Sequence, residues 1–265
     1  MSTMQLQDHH AVVTGAARGL GAAAARRFVA EGARVVIADI DLDAAKRCAL
    51  DIDPGGERAA AIACDVADPA ACEALVEASE AFFGAPVDVF LAHAGMGFAG
   101  ALAEAEPARV RRVVEVNVLG ALFCARAALP SLARSPRAAS LIFTSSLQGV
   151  MARAQRSVYT ASKHAIVGLT KALALEAAPQ GVRVNAIAPA STDTPFLRTQ
   201  LEAAGAQDID RAVAQAAAAM PLGWLPTPED FADAAVFLAS PAARSITGHN
   251  LVIDCGASAG IFRRG

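Results

Sequence analysis

The sequence is poor in aromatic and charged residues. It contains one tyrosine, one tryptophan and 18% charged residues in 265, with a formal net charge of −3. So small a net charge gives no reason to expect a nucleic acid or an anionic membrane surface as a partner. Because 54% of the residues are hydrophobic, a disordered or solvating protein is also excluded.

Cysteine pairs and histidine clusters are also missing from the sequence. The five cysteines are scattered without a C-x-x-C pair, and no histidine stands at metal-ligand spacing from them. We therefore expect reduced thiols, no metal site and a cytoplasmic location. The first ten residues, "MSTMQLQDHH", do not resemble a signal peptide. No stretch is judged both long and apolar enough to span a membrane.

Short apolar runs alternate with alanine-rich segments of helical length. Because each strand-like run lacks polar alternation and precedes a helical pattern, the sequence predicts a parallel sheet covered on both faces. Right-handed crossovers then make residues 1–265 a single doubly wound, Rossmann-like α/β domain of about seven strands. The predicted strands are residues 11–14, 34–39, 59–64, 87–92, 140–145, 182–188 and 250–254. The predicted helices are residues 20–31, 41–51, 69–83, 107–129, 157–178 and 228–239.

One long irregular region follows the sixth predicted strand. It covers residues 189–226 and contains a helical pattern near residues 209–219. In sheets of this type, a long connection at the carboxyl end of a strand commonly forms a lid or a substrate wall. We expect a substrate lid in this region.

A glycine-rich turn joins the first strand to the first helix in "VVTGAARGLGAAAARRF". Gly15, Gly19 and Gly21 allow a sharp turn, close approach to a pyrophosphate and N–H groups at a helix N-terminus. Such a turn is informative here because of its place in the first βαβ unit.

Two carboxylates follow the next two strands. Asp39 is placed to accept both hydroxyls of an adenosine ribose and to repel a 2′-phosphate, which favours NAD over NADP. Arg18 is evidence on the other side, since a cation there could hold that phosphate. Asp39 could instead cap the following helix. Asp65 could accept from an adenine amino group or merely cap a helix.

A tyrosine and a lysine share one helix face in "SVYTASKHA". Tyr159 and Lys163 are four residues apart, and an ammonium beside a phenol favours the phenolate, which suits general acid–base chemistry. The alternative is an ordinary surface pair. Ser145 and Ser146 at the end of the fifth strand and Asn117 inside a helix favour the chemical interpretation, because asparagine is a poor helix former.

These motifs together resemble the short-chain dehydrogenase/reductase family over nearly the whole chain. "TGAARGLG" resembles its cofactor motif, "YTASK" its active-site motif, "RVNAIAP" the strand before its nicotinamide loop and "ITGHNLVIDCG" its C-terminal strand. Ser146, thirteen residues before Tyr159, matches the family serine.

The resemblance implies a role for each matching residue. Tyr159 would exchange a proton with the substrate oxygen, and Lys163 would hold the nicotinamide ribose and lower the Tyr159 pKa. Ser146 would stabilise the substrate oxygen. Asn117 would anchor a water of a proton relay, and Thr194 would lie near the cofactor. The implied cofactor-binding residues are Gly15, Arg18, Gly19, Leu20, Gly21, Asp39, Asp65, Val66, Ala94, Gly95, Tyr159, Lys163, Pro189, Thr192 and Thr194.

The residues expected to face the substrate are mostly apolar, which favours a hydrophobic or cyclic secondary alcohol and its ketone. Arg153 and Arg156, near the entrance, keep an acidic substrate open. The expected substrate residues are Met96, Gln148, Met151, Phe196 and Trp224, with Phe98, Leu147 and Leu197 beside them.

The sequence departs from the family pattern at four places. "AHAG", residues 92–95, replaces Asn-Asn-Ala-Gly, so His93 needs a new partner or the loop shifts. "PAS", residues 189–191, replaces Pro-Gly, Thr192 replaces an aliphatic residue and Cys255 replaces a glycine. These changes bear on cofactor geometry and substrate class.

Three functions remain open at this point. The first is an NAD-dependent oxidoreductase of secondary alcohols. The second is an NADPH-dependent ketone or 3-oxoacyl-thioester reductase. The third is a non-catalytic dinucleotide-binding regulator. The presence of a complete set of candidate catalytic residues, Ser146, Tyr159, Lys163 and Asn117, argues against the third function. The helix at residues 157–178 is apolar around much of its circumference, which favours a homo-oligomer, and the resemblance implies a dimer or tetramer.

Overall fold

The protein is described by a computed structural model that covers residues 4–203 and 205–261. Seven parallel strands form one sheet in the order β3-β2-β1-β4-β5-β6-β7, which confirms the predicted doubly wound class. The strands are β1 (His10–Thr14), β2 (Arg34–Asp39), β3 (Ala59–Ala63), β4 (Val89–Ala92), β5 (Ser140–Thr144), β6 (Arg183–Pro189) and β7 (Asn250–Ile253). The helices are α1 (Gly19–Ala30), α2 (Leu42–Ile52), α3 (Pro69–Phe83), α4 (Pro107–Val114), α5 (Gly120–Leu132), α6 (Ser157–Ala177), α7 (Pro195–Ala203), α8 (Ile209–Ala218) and α9 (Pro228–Ala239).

Each face of the sheet is buried under its own helical layer. Val12 of β1 belongs to a core shared with α3, α5 and α6, whereas Val13 belongs to a core shared with α1, α2 and α9. Successive strand residues therefore enter opposite cores. This is why the strands read as continuous apolar runs, and burial of each large side chain contributes roughly 1.5–3 kcal/mol.

The segment predicted as a substrate lid contains two helices rather than one. Both α7 and α8 lie within residues 189–226, and α7 was not predicted. Arg198 of α7 connects the two helices, because its guanidinium lies 3.0 Å from the Asp210 carboxylate of α8. It also lies 2.8 Å from Asp193, just before α7. The Leu222 amide donates to the Cys255 carbonyl at 3.2 Å, which attaches the end of this segment to the chain after β7.

The helix predicted at residues 107–129 is interrupted. A π-helical turn, Glu115–Leu119, separates α4 from α5. The whole run Pro107–Leu132 is long and apolar enough to span a membrane by length and composition, so the expectation that no stretch would qualify is wrong. Its charged residues lie mostly in its first turns. One face of α5 packs on the sheet and on α3, only 33% of the apolar window is buried, and a single helix of this kind is weak evidence for a membrane.

Cys255, which stands where the family has glycine, adopts a left-handed backbone conformation with φ of +52°. This conformation costs a residue with a Cβ about 1–2 kcal/mol. We expect Cys255→Gly to raise the free energy of unfolding by about 1 kcal/mol and the Tm by about 2–4 °C, as measured by calorimetry. Cys255→Ala is the control, since it removes the thiol and keeps the strain. A stabilisation by Ala equal to that by Gly would contradict the conformational explanation.

Candidate active site

The glycine-rich turn and the residues predicted at the ends of β4 and β5 lie together at the carboxyl edge of the sheet. Strand β1 lies between β2 and β4, so the chain leaves it in the crevice where the strand order reverses. Ligands of open α/β sheets bind in that crevice. The glycine-rich turn after β1, the loop after β4 and the end of β5 all meet there.

Two glycines of the turn are sterically required. Gly15 has φ of +67°, and a Cβ on it would lie 2.8 Å from the Ala94 Cα. A Cβ on Gly21 would lie 2.5 Å from the Gly15 carbonyl oxygen. The turn therefore packs closely against the loop after β4. Because these positions carry no side chain, the backbone at the N-terminus of α1 is accessible, and this arrangement fits the pyrophosphate of a dinucleotide.

Asp39 is only 8% exposed, and its carboxylate lies against the glycine-rich turn. It accepts the Ala17 amide at 3.1 Å and the Asp41 amide at 3.1 Å. The cap of α2 is Asp41, whose side chain accepts the Ala44 amide, so Asp39 does not have that alternative role. Arg18 is exposed at the N-cap of α1.

Asp65 is engaged by protein partners on both oxygens. One accepts the Ala67 amide at 3.0 Å, and the other accepts from Arg112 at 2.9 Å. The cap of α3 is instead Asp68. The neighbouring Val66 is buried against Gly120 of α5. A Cβ on Gly120 would lie 2.8 Å from the Val66 Cγ2, so the glycine allows α5 to approach the loop after β3.

Asn117 lies in the π-helical turn and is 2% exposed. Its side-chain oxygen accepts the Met96 amide at 2.8 Å, and its nitrogen donates to the Met96 carbonyl at 2.9 Å. That nitrogen also donates to the Ser162 hydroxyl at 3.0 Å, which ties the loop after β4 to α6. Single π turns inside helices occur frequently at functional sites.

A small cavity lies beside Asn117 and Lys163. Its volume is about 10 Å³, and Thr14, Thr144 and Cys124 also border it. A space of this size with several polar neighbours is about the minimum that holds one water. The cavity is therefore compatible with the predicted relay, which stays a prediction.

Lys163 is connected to His93 through Thr144. The Lys163 ammonium donates to the Thr144 carbonyl at 2.8 Å, and the Thr144 hydroxyl lies 3.0 Å from the His93 Nδ1. Burial lowers the pKa of His93 to about 3, with the Lys163 charge as a second cause, so the ring is neutral. Burial also lowers the pKa of Lys163 to about 8. The new partner that the sequence requires for His93 is therefore Thr144, at the end of the neighbouring strand β5.

Tyr159 is half-buried, and burial raises the pKa of its phenol above the usual value. Two neighbours oppose this shift, the Ser146 hydroxyl as a hydrogen-bond partner and the positive charge of Arg156. The Lys163 ammonium lies 5.7 Å from the centroid of the Tyr159 ring. The positive charge of Arg156 therefore lowers the pKa of the Tyr159 phenol. The expected lowering of the Tyr159 pKa by Lys163 stays a prediction.

The two serines after β5 face different ways. The Ser145 hydroxyl donates to Asn250 at 2.6 Å and is 1% exposed, so it ties β5 to β7. Ser146 accepts the Gln148 amide at 3.2 Å and is the hydroxyl that reaches Tyr159.

The loop after β6 uses its hydroxyls to shape its own backbone. Thr192 donates to the Ala190 carbonyl at 3.3 Å, and Thr194 donates to the Thr192 carbonyl at 3.2 Å. Both threonines are almost fully buried, and Pro189 ends β6. Cofactor contacts by these residues, and by Leu20 and Gly95, stay predictions.

The predicted substrate residues differ in exposure. Met151, Phe196 and Trp224 are 42%, 46% and 55% exposed, whereas Met96 is half-buried beside Tyr159 in a small cluster that also buries Phe98. Gln148 accepts from the Thr160 hydroxyl at 3.2 Å. A groove of about 430 Å³ opens beside Met151, and part of its wall, Val252, Ala257 and Ser258, was not predicted.

The His93–Thr144 contact leads to a testable expectation. Thr144→Val removes the hydroxyl but keeps the shape, leaving a ring nitrogen without its partner, which costs about 1–3 kcal/mol. Chemical denaturation should show this loss, and Thr144→Ser should restore most of it.

A double-mutant cycle provides the control for that contact. In a His93→Ala background, the Val substitution should cost less, because the partner is already gone. An unchanged cost would mean that the hydroxyl acts on something other than His93.

Comparison with known proteins extends this picture. A family model described as enoyl-(acyl carrier protein) reductase matches residues 15–258. Cis-4-hydroxycyclohexanecarboxylate dehydrogenase of Sinomonas cyclohexanicum is 38% identical over 250 residues, covering 94% of this chain and 96% of that protein. The chain belongs to the short-chain dehydrogenase/reductase family.

Two further members of the family are similar over nearly their whole length. Meso-2,3-butanediol dehydrogenase of Serratia marcescens is 35% identical over 256 residues, covering 97% of each chain. The structure of 3-ketoacyl-(acyl-carrier-protein) reductase of Brucella melitensis, complexed with NADH, has a TM-score of 0.84 and 34% identity, covering 96% of this chain and 99% of that one. As a short-chain dehydrogenase/reductase, the protein is an oxidoreductase that uses a nicotinamide dinucleotide.

Proposed function

We propose that the protein interconverts an apolar, cyclic secondary alcohol and its ketone with NAD as cofactor. The observation that carries this proposal is the phenol of Tyr159, paired with Ser146 at the same sheet edge as the glycine-rich turn. A proton donor, an oxygen-binding hydroxyl and a dinucleotide turn are the parts that hydride transfer at a carbinol carbon requires.

The chain's residues divide the work as follows. The bound nicotinamide supplies the hydride acceptor or donor. Tyr159 takes the proton from the substrate hydroxyl during oxidation and returns it during reduction. Ser146 donates to the substrate oxygen while its charge develops. Lys163, held by the Thr144 carbonyl, positions the nicotinamide ribose, and Asn117 fixes the loop and α6 on either side of it.

The preference for NAD is supported by Asp39. Its carboxylate is held against the glycine-rich turn by two backbone amides, where it can accept ribose hydroxyls and repel a 2′-phosphate. The exposed Arg18 is the residue that would favour NADP.

An apolar, cyclic substrate is supported from two directions. Met151, Phe196 and Trp224 expose large apolar surfaces at the predicted substrate side. The relative from Sinomonas cyclohexanicum is named for a hydroxycyclohexanecarboxylate, which supports the ring but also carries a carboxylate, and the relative from Serratia marcescens is named for an acyclic diol.

A second candidate is the reduction of a 3-oxoacyl thioester with NADPH. The similarity to the Brucella melitensis ketoacyl reductase favours it, although that structure holds NADH. A non-catalytic regulator is disfavoured, since binding a dinucleotide does not need the contact between Tyr159 and Ser146.

The test is absorbance at the NADH band with cyclic and acyclic secondary alcohols, a 3-oxoacyl thioester, and both cofactors. Oxidation of cyclohexanol with NAD, faster than with NADP, is expected. Faster reduction of the thioester with NADPH would establish the second candidate instead. Cofactor binding without turnover of any compound would favour the regulator.

We also propose a cytoplasmic homotetramer, with a dimer as the alternative. The outward face of α6 carries Ala161, Ala165 and Ala172 together with Leu175, which is 80% exposed, and the outward face of α5 carries Leu122. Apolar helix faces of this kind are usually buried by a partner. Sedimentation should show one oligomer, and Leu175→Glu should weaken it. A monomer would contradict the proposal.

A further inference from the structure

The side chain of His93 joins the ends of two central strands beside the candidate active site. The ladder between β4 and β5 ends at the backbone pair Ala92 and Phe143. One residue further along, the pairing continues through side chains, since the His93 Nδ1 lies 3.0 Å from the Thr144 hydroxyl. The two strands are therefore held together past their last backbone pair by this contact.

The imidazole ring also borders the glycine-rich turn. A Cβ on Gly21 would lie 2.9 Å from the His93 Cδ2, and the ring packs on Phe231 of α9 with 5.4 Å between the ring centroids. At the backbone, the His93 and Ala94 amides donate to the Thr14 hydroxyl at 3.1 and 3.2 Å. His93 is thus fixed from three sides, by α1, by α9 and by the end of β1.

Thr144 connects this ring to the Lys163 ammonium. Its hydroxyl faces His93, and its carbonyl accepts from the Lys163 ammonium at 2.8 Å. Lys163 is 4% exposed, and a Cβ on Gly95 would lie 3.5 Å from its nitrogen. The position of the ammonium therefore depends on the end of β5 and on the loop after β4. His93 contacts the first of these segments and begins the second.

A buried ammonium depends on well-placed acceptors more than an exposed one does. Burial lowers the pKa of Lys163 to about 8, because the charged form loses hydration. A carbonyl held at hydrogen-bond distance compensates part of that loss. The His93 ring adds no charge at neutral pH, because burial lowers its pKa to about 3. It therefore holds Thr144 in place without repelling the ammonium.

We propose that His93 is a positioning residue, which through Thr144 fixes the carbonyl that holds the Lys163 ammonium relative to the glycine-rich turn. This inference rests on the proposed function, in which Lys163 positions the nicotinamide ribose. His93 itself contacts neither the substrate nor the cofactor in this mechanism and acts through its neighbour. One imidazole ring then keeps the parts of the site that hold the pyrophosphate and the nicotinamide ribose in register.

The test uses variants that differ in where they place a polar atom. His93→Asn keeps a polar atom at the position of Nδ1, whereas His93→Gln places its polar atoms at the position of Nε2. His93→Leu has none, and Thr144→Val removes the same contact from the other side. Misplacing a catalytic group by about 1 Å lowers rates by up to about 100-fold. We expect Leu, Gln and Val to lower kcat for cyclohexanol with NAD by roughly 10- to 100-fold, and Asn to retain most of it.

The ionisation of Lys163 is a readout that does not depend on turnover. The chain has three lysines, and Lys46 and Lys171 are exposed, so the buried Lys163 should give a distinct resonance in protein labelled with carbon-13 at the lysine Cε. The Lys163 pKa should fall by about one pH unit in His93→Leu, because the charged form loses a fixed acceptor. His93→Asn should restore the wild-type value.

The same titration also needs the other ionisable groups around the ammonium to stay as they are. Besides His93, these are the Tyr159 phenol, whose ring centroid lies 5.7 Å from the Lys163 nitrogen, and the Cys124 thiol, which borders the same small cavity. The variants leave both groups in place. A change in the Lys163 pKa therefore reports the loss of its acceptor.

A matched control removes a buried hydroxyl outside the candidate site. The Ser79 hydroxyl in α3 donates to the Leu75 carbonyl at 2.7 Å and is fully buried. Ser79→Ala should lower the Tm, as Thr144→Val does, while kcat and the Lys163 pKa stay at their wild-type values. This variant separates a general loss of stability from a displaced ammonium.

The outcomes distinguish this inference from the proposed function. A lower Tm in His93→Leu with unchanged kcat and Lys163 pKa would overturn the inference and leave His93 as a structural contact. An equal loss in His93→Asn and His93→Gln would also overturn it, since Nδ1 would not be the atom that matters. If His93→Leu does not fold, as judged by its thermal transition, His93→Gln and Thr144→Val decide the question. Absence of turnover in the wild type would overturn the proposed function, and the Lys163 resonance would still test the role of His93.

Discussion

Tyr159→Phe is expected to lower kcat by about 10²- to 10⁴-fold, the usual contribution of a positioned general acid–base group. The substitution removes one hydroxyl and keeps the ring, which packs with Phe98 and Val158. The dissociation constant for NADH should therefore change by less than about tenfold, as measured by fluorescence titration. The protein would then bind its cofactor and fail in the proton step.

Ser146→Ala is the matched variant for this experiment. It leaves the phenol in place and removes a neighbour that lowers the pKa of Tyr159. The rate should fall, and the pH at which oxidation reaches half its maximum should rise. If Tyr159→Phe retained more than about a tenth of the activity, another group would be the acid–base catalyst and the proposed function would need revision.

Asp39→Ala is expected to reverse the choice of cofactor. Losing charge-assisted hydrogen bonds to a ribose lowers kcat/KM with NAD by about 10- to 100-fold, while removal of the negative charge improves use of NADP. Adding Ile40→Arg should strengthen the reversal. Ile40 is 65% exposed directly after Asp39, so an arginine there is free to reach a 2′-phosphate.

The control for Asp39 separates cofactor recognition from folding. Its carboxylate also accepts the Ala17 and Asp41 amides, so Ala loses two backbone partners. Asp39→Asn keeps one acceptor oxygen. Asp39→Ala and Asp39→Asn should therefore differ more in Tm than in the ratio of kcat/KM with NAD to kcat/KM with NADP. An unchanged NAD preference in both variants would assign recognition to another residue.

The fold could be predicted because its signals are local. The strands β1, β2 and β5 are runs of buried apolar residues, and the sheet covers them on both faces, so composition alone locates them. Gly15 and Gly21 could also be singled out, since their spacing reflects backbone contacts that admit no Cβ. Ser146 and Tyr159 were found by their sequence separation and by resemblance.

The rest depends on contacts between distant segments. His93 and Thr144 are 51 residues apart, and nothing in either neighbourhood predicts their contact. The π turn at Asn117 is invisible to a helical periodicity that continues through it. Helix α7 was not predicted, because Phe196 and Leu197 were interpreted as substrate-facing residues of an irregular region. The action of Arg156 on Tyr159 also required coordinates.

The protein carries two built-in spectroscopic probes. Trp224 is the single tryptophan, and it lies 55% exposed after α8 in the predicted lid. Indole emission from the native chain therefore originates at this one position, and a blue shift on adding substrate would report its burial without any label. Tyr159 is the single tyrosine, so the ultraviolet titration of phenolate follows this proposed acid–base group alone. A change in the surroundings of Trp224 and the ionisation of Tyr159 can thus be recorded separately in the unmodified protein.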